Sequence, residues 1–391
     1  MRLAQRITNV SGSSTLAITA RAKKLRQDGA DVVNFGAGEP DLDTPEFIKE
    51  SAVNAIKLGF TKYTPSTGIP ELKQAISIKF QKDNSLNYSS AQIIVSCGAK
   101  HSIYNVIQVL VDRGEEVILP SPYWVSYPEM IKLAEGKVVI IPTRPEDNFK
   151  INIRNLERAV SHKTKLLILN SPSNPTGSIY NREELERIAE VCIKRNIFVL
   201  SDEIYEKLVY DGQEHVSIGS LNPDIYKLTI TVNGVSKAFS MTGWRVGYLG
   251  AAEEIAKAIA NLQDHSTSNP TSISQKAAIS ALEAPSDWTD KLREEFEIRR
   301  NCMVENLNKI PGLSCVKPQG AFYVFCDISR IGLRSVEFAT RLLEEEKVVL
   351  IPGDGFGVDT FVRLSFCVNN ATIIKGCQRI DEWVKRLPKK S

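Results

Sequence analysis

The sequence predicts an α/β protein, with a mostly parallel central sheet in a large domain and a smaller α+β domain toward the end of the chain. Three observations carry that expectation. From about residue 90 to 250, short apolar β-rich runs alternate with amphipathic helical stretches, the pattern of βαβ units whose sheet is covered on both faces. The tail instead groups three strand candidates around one helix. At 391 residues the chain can hold two substantial cores, on a prior of roughly 100–200 residues per domain.

The strand candidates of the large domain are residues 93–96, 116–119, 137–142, 165–169, 197–200, 228–232 and 246–249. A helix is expected after Gly98, where Ile103, Val106, Ile107, Leu110 and Val111 share one face at helical spacing. Another spans 182–195, repeating Leu185, Ile188, Ala189 and Cys192. In the tail, 321–327, 348–351 and 361–366 read as strands, with a helix over 335–345. The charged stretch 287–307 reads as a long connecting helix, with a boundary near residue 290. Near the start, Ser14 or Thr15 is expected to cap a helix running to Arg26.

Composition narrows the function classes. Net charge is only +3 and the basic residues are interspersed with acids, so no nucleic-acid partner is expected. Seven cysteines stand as singles and four histidines lie far apart, which argues against a disulfide framework and against a metal site. No apolar run approaches the ~18 residues of a membrane span. The acid-free N-terminus has a faint transit-peptide composition, but a mature helix accounts for it better, and a cytoplasmic protein is expected.

Ligands of open α/β sheets gather beyond the carboxyl ends of the strands. There the sequence places Gly98-Ala99-Lys100, Pro120 to Trp124, Asn170 to Gly177, Ser201 to Tyr205, and Asn233 to Lys237. Gly98 and Ala99 turn a strand into a helix, where backbone N–H groups and the helix N-terminus suit a phosphate. Lys100 opposes that helix dipole and answers a nearby anion, unless it is a solvated surface lysine. Lys237, on the rim of an apolar sheet, is suited to the neutral amine that Schiff-base chemistry needs, while Ser236 and Arg245 suit a phosphate. Asp202 would pair with a protonated pyridine nitrogen, or else cap the following helix. Tyr205 reaches the same place, and Trp124 offers a stacking surface or a core residue.

Taken in order, these strings resemble the class I aminotransferases of the fold-type I pyridoxal-phosphate enzymes. The resemblance runs from Gly36-Ala37-Gly38-Glu39-Pro40-Asp41 and Tyr63-Thr64-Pro65, through Ser121-Pro122-Tyr123-Trp124 and Asn174-Pro175-Thr176-Gly177. It continues through Asp202-Glu203-Ile204-Tyr205, Ser236-Lys237-Ala238-Phe239 and Gly243-Trp244-Arg245 to Arg363-Leu364-Ser365. It implies a pyridoxal 5′-phosphate cofactor held covalently by Lys237, which also carries the proton shift. Asp202 is implied as the pyridinium partner, Tyr205 and Asn174 as donors to the ring oxygen, and Gly98, Ala99, Ser236 and Arg245 as the phosphate cup. Tyr63 is similar to the tyrosine that reaches the neighbouring subunit's phosphate, implying a homodimer with shared sites. Arg363, opposite Gly38, resembles the clamp on the substrate α-carboxylate. Alternation along 361–366 agrees, turning Val362, Leu364 and Phe366 to one face and Arg363 to the other. The implied division is residues 1–45 and 290–391 in the small domain, with 46–289 forming the large one.

Gly98-Ala99-Lys100 together with Pro120 to Tyr127 resembles the bacterial and plant subgroup acting on aspartate, some members of which transaminate prephenate. There Lys100 would take the distal carboxylate, with Ser13 or Thr15 near the entrance. The expected reaction is ping-pong amino transfer between aspartate or glutamate and 2-oxo acids. A carbon–sulfur β-lyase, or transfer from aromatic or neutral amino acids, on the same scaffold is the alternative. A nicotinamide dehydrogenase fits poorly, since Gly36-Ala37-Gly38 lacks the third glycine of its fingerprint. A transcription regulator on this fold would need a DNA-binding module ahead of Gly36, and none is expected.

Overall fold

The computed structural model describes residues 3–12 and 14–388. Its strands are β1 (Val33–Asn34), β2 (Ile93–Ser96), β3 (Glu116–Ser121), β4 (Lys137–Pro142), β5 (Thr164–Asn170), β6 (Phe198–Asp202), β7 (Thr229–Gly234), β8 (Gly247–Gly250), β9 (Ser314–Cys315), β10 (Tyr323–Asp327), β11 (Val348–Val349), β12 (Ile351–Pro352) and β13 (Phe361–Ser365). The seven strands expected between residues 93 and 249 form one sheet in the order β2-β8-β7-β6-β5-β3-β4. All run parallel except β8, which is antiparallel to both its neighbours. Apolar runs carry no direction, so that reversal was invisible in the sequence. It follows from a β7–β8 connection that contains only the short 3-10 turn Thr242–Trp244 and no crossover helix.

Alternate residues of each strand feed the two faces. Ile94, Leu119, Ile168, Leu200 and Val232 pack with helices Ala99–Leu110 and Glu253–Asp264. Ile93, Val95 and Tyr248 pack on the other side with Pro70–Asn84 and Ser272–Glu283, and Ile118, Leu167 and Val199 with Arg182–Arg195. Several strands run further than their apolar residues suggest, β3 through Ser121 and β5 through Asn170 among them. β6 continues through Ser201 and Asp202 because Asp202 still pairs in register with Asn170 and Val232. β7 likewise continues to Gly234. Backbone hydrogen bonding ignores the polarity of the side chain, so hydropathy ends these strands too early.

In the tail, helices Asp287–Leu307 and Ser335–Glu346 form as expected, and the sheet order is β12-β13-β10-β9. The expected strand 348–351 is two strands: β11 pairs with β1 and β12 pairs with β13, with Leu350 between them. β1 and β9, two residues each, are too short to leave a periodic signal. The N-terminal helix spans Ser14–Gln27; its expected cap and the side chains of Ser13 and Thr15 lie outside the described residues. No helix among the described residues is long and apolar enough to cross a membrane.

Candidate active site

Beyond the carboxyl ends of β2, β3, β5, β6 and β7 lies a cavity of about 470 Å³. It is lined by Gly38, Ala99, Lys100, Trp124, Asn174, Asp202, Tyr205, Ser236, Lys237, Arg245 and Arg363. Five strand-end clusters thus meet in one place.

One side is an anion cup. Gly98 precedes helix Ala99–Leu110 at φ +91°, and a Cβ there would lie 2.5 Å from Arg245 Nη2. Only glycine permits both that backbone and that approach. Arg245 donates to the carbonyls of Thr242 (2.9 Å) and Cys97 (3.2 Å) and pairs with no carboxylate among the described residues. With the hydroxyl of buried Ser236 and the helix N-terminus, the cup gathers positive potential around open space.

Opposite it, Asp202 is 4% exposed. The Tyr127 hydroxyl donates to its Oδ2 at 2.6 Å and the Ile204 N–H to its Oδ1 at 3.3 Å. Burial outweighs those bonds and pushes the carboxyl up to about 6. For an acid raised from 3.8 to about 6, the ionic form burdens the fold fully above pH 6, and stability is regained as pH falls toward 3.8. In the cofactor-free protein Asp202→Asn is expected to melt higher than wild type at about pH 8, by up to about 3 kcal/mol in stability. The gap should close as pH falls below about 6. Melting curves of both proteins across that range check this; a lower melting point for the variant at every pH would show a purely structural carboxylate.

Lys237 Nζ donates to the Gly38 carbonyl at 2.6 Å and stands 5.9 Å from the Tyr205 ring centroid. Burial pulls its amine down to about 8, so a neutral fraction exists near neutrality.

Arg363 is the third feature. It is 4% exposed, not the half-solvated residue that an isolated strand would have presented. Nη1 donates to Asn174 Oδ1 and Nη2 to the Gly36 carbonyl, each at 3.1 Å, while Nε has no partner among the described residues. The guanidinium lies 4.3 Å from the Tyr323 ring centroid and 5.2 Å from that of Phe356. No carboxylate among the described residues pairs with it, which is rare for a buried charge. Asn174, which also lines the cavity, spends its oxygen on Arg363. Tyr205 and Tyr323 share a hydroxyl contact of 3.0 Å.

At the mouth, Lys100 Nζ stands 4.9 Å from the Trp124 ring centroid, and Trp124 packs edge-on against Tyr127. Desolvation and the neighbouring Arg245 lower the Lys100 amine from its ordinary value. Tyr63 does not line this cavity and is 92% exposed, and Gly98 stands just behind the lining, against Arg245. Tyr127, Tyr323, Glu39 and Thr242 line or brace the cavity, and Glu39 Oε2 accepts from Thr242 Oγ1 at 2.7 Å. Sequence reasoning assigned them no role; Tyr323 pairs with Ser365, two residues along from Arg363 and so on the same face of the sheet. Elsewhere Glu203, Glu206 and His215 come together without metal-like sequence spacing. Asn84 donates to both carboxylates and Lys79 pairs with Glu206, so the protein itself supplies partners to the group.

The residues fit pyridoxal phosphate on structural grounds: an anion cup that a Cβ would fill, a buried carboxylate, and an amine of lowered basicity, all facing one space. Comparison decides the family. The family model for aminotransferase class I and II matches residues 30–380. The chain belongs to that family. It is 49% identical to aspartate aminotransferase of Bacillus subtilis (strain 168), over 99% of this chain and 100% of the relative. To a probable aspartate/prephenate aminotransferase of Aquifex aeolicus it is 45% identical, over 98% and 99%. A solved aspartate aminotransferase from Thermus thermophilus with maleate superposes with a TM-score of 0.94 at 42% identity, covering 98% of this chain and 100% of that one. This aminotransferase therefore has the expected α/β fold-type I architecture, and pyridoxal phosphate is its family's cofactor.

Proposed function

We propose that this aminotransferase uses pyridoxal phosphate to move amino groups between aspartate or glutamate and 2-oxo acids such as oxaloacetate and 2-oxoglutarate, with prephenate a further acceptor. The observation that carries this reading is the buried, unpaired guanidinium of Arg363 sharing one cavity with Lys237 and Asp202. Such a charge awaits a carboxylate, and the planar fork suits a bidentate one. The names of the relatives support aspartate.

The cup of Gly98, Ala99, Ser236 and Arg245 would hold the cofactor phosphate, Asp202 the ring nitrogen, and Asn174 and Tyr205 the ring oxygen, with Trp124 a stacking surface. When bound, the cofactor supplies an electron sink for the substrate carbon that loses its proton. Asp202, poised as a carboxylate by Tyr127 and Ile204, favours a protonated ring nitrogen. Arg363 holds the α-carboxylate and so orients the Cα–H bond toward Lys237, whose neutral amine takes that proton and returns it. Lys100 would hold the distal carboxylate at the mouth.

A homodimer fits the exposed apolar residues Phe47, Val53, Ile56 and Leu58, which lie on or beside helix Glu46–Lys57 close in sequence to Tyr63. In that reading Tyr63 completes the phosphate site of the second subunit. The seven free cysteines suit the reducing cytoplasm. Residues 1–45 are grouped with 290–391 as the small domain, supported by the pairing of β1 with β11.

The test is a visible spectrum of the purified protein with aspartate, followed by 2-oxoglutarate in one sample and by prephenate in another. Loss of the yellow colour with aspartate and its return with each oxo acid are expected. A yellow protein that yields pyruvate and ammonia from a cysteine conjugate, without needing an oxo acid, would establish the lyase instead. Lys100→Ala is expected to lower kcat/KM for aspartate about tenfold or more while sparing monocarboxylic amino acids, as loss of one exposed ion pair to substrate implies. Equal loss on both substrate kinds would remove Lys100 from substrate selection.

A further inference from the structure

Behind the loop that carries Lys237 lies a second cavity of about 320 Å³, a size that suits a small organic ligand. It shares one lining residue, Ile204, with the active-site cavity. Its walls come from helix Pro70–Asn84, the end of β7, and the junction of helices Ser272–Glu283 and Asp287–Leu307. Ile78, Phe239, Tyr248 and Leu282 make its sides apolar. Its inner charges are matched within the protein, Lys79 with Glu206 and Lys207 with Asp83, while Lys82 and Glu283 stand exposed at its rim. What is left unmatched is a donor. Asn233 is 2% exposed and lines the cavity. Its Oδ1 accepts the Gly234 N–H at 2.8 Å, and its Nδ2 has no partner among the described residues.

We propose that this cavity binds a small, uncharged molecule with a ring-sized apolar body and a carbonyl oxygen that accepts from Asn233 Nδ2. Chemistry selects that class. An ion would shed its hydration among charges that are already paired. A plain hydrocarbon would leave the buried amide unsatisfied. A neutral carbonyl compound satisfies both walls.

The position gives such a ligand a route to the chemistry. Ala238, the residue after Lys237, lines the cavity, and its carbonyl accepts from Trp288 Nε1 at 3.0 Å. That bond ties the lysine loop to the start of helix Asp287–Leu307, whose Thr289 lines the same wall. An occupant therefore touches Ile204, the lysine loop and the long helix together, and it would change turnover without contesting the substrate site.

The test follows para-fluorobenzamide binding to the holoenzyme by fluorine NMR. The probe has no carboxylate, primary amine or 2-oxo group for Arg363 and Lys237 to treat as substrate. Saturable millimolar binding is expected, undiminished by saturating maleate. Fluorobenzene, the same ring without the carbonyl, is expected to bind at least about tenfold more weakly. Ala75→Phe, which fills the cavity from helix Pro70–Asn84, should abolish binding, and Asn233→Leu should weaken it about tenfold, each in a variant that keeps its cofactor colour and melting point. Absence of saturable binding, displacement by maleate, or equal binding of fluorobenzene would overturn the proposal, and the wild-type arms decide this without any variant. Unchanged binding in Ala75→Phe would do the same.

Discussion

Lys237→Ala is expected to lower the rate of amino transfer by at least about 10²–10⁴-fold, the range lost with a positioned acid–base group. The protein should still bind pyridoxal phosphate through the anion cup and Asp202, but without a covalent link, so the cofactor should leave on dialysis. Single-turnover rates and absorbance after dialysis check both halves. The wild-type cofactor-free protein offers a second readout. An amine whose basicity burial has pulled down to about 8 is half neutral at that pH. The rate of covalent cofactor attachment should therefore climb about tenfold per pH unit below about pH 8 and level off above it. A climb continuing toward the ordinary lysine value of 10.5 would mean that Lys237 is not desolvated in solution. The same shift sets a stability trend: the charged amine burdens the fold below about pH 8, and the burden lifts as pH rises from there toward 10.5.

Arg363→Met should cut kcat/KM by about 30- to 3000-fold, as truncating one member of a buried charge pair does. Most of the loss is expected in substrate affinity. Arg363→Lys should recover little of it, because an ammonium cannot offer the paired donors that a carboxylate takes. Stability should move the other way. Among the described residues Nε finds no partner and no carboxylate balances the charge, so the methionine variant should melt no lower than wild type without substrate. A variant that both melts far lower and keeps its substrate affinity would make Arg363 a structural residue.

Much of the site was legible because its residues follow strand ends. Gly98, Asp202 and Lys237 each stand where an apolar run stops, and a parallel sheet collects such stops along one edge. Arg363 was legible for another reason: alternation set it apart from Val362 and Leu364, which pack in the core. Tyr127 and Tyr323 were not, since a buried tyrosine on a helix or strand carries no mark of the hydroxyl contact it makes. The direction of β8 was hidden for the same kind of reason, because an apolar run reads identically in both senses.

The sequence by itself determined the alternation of strands and helices, the family, and the residue types offered at each strand end. These follow from local periodicity and from short ordered strings. Only the tertiary structure decided what those residues do to one another. Asn174 meets Arg363 across 189 positions, Tyr205 meets Tyr323 across 118, and Tyr127 meets Asp202 across 75. Burial, which raises Asp202 and lowers Lys237, is likewise a property of what surrounds a group. No local pattern encodes it, because the low-dielectric surroundings exist only once distant segments have packed.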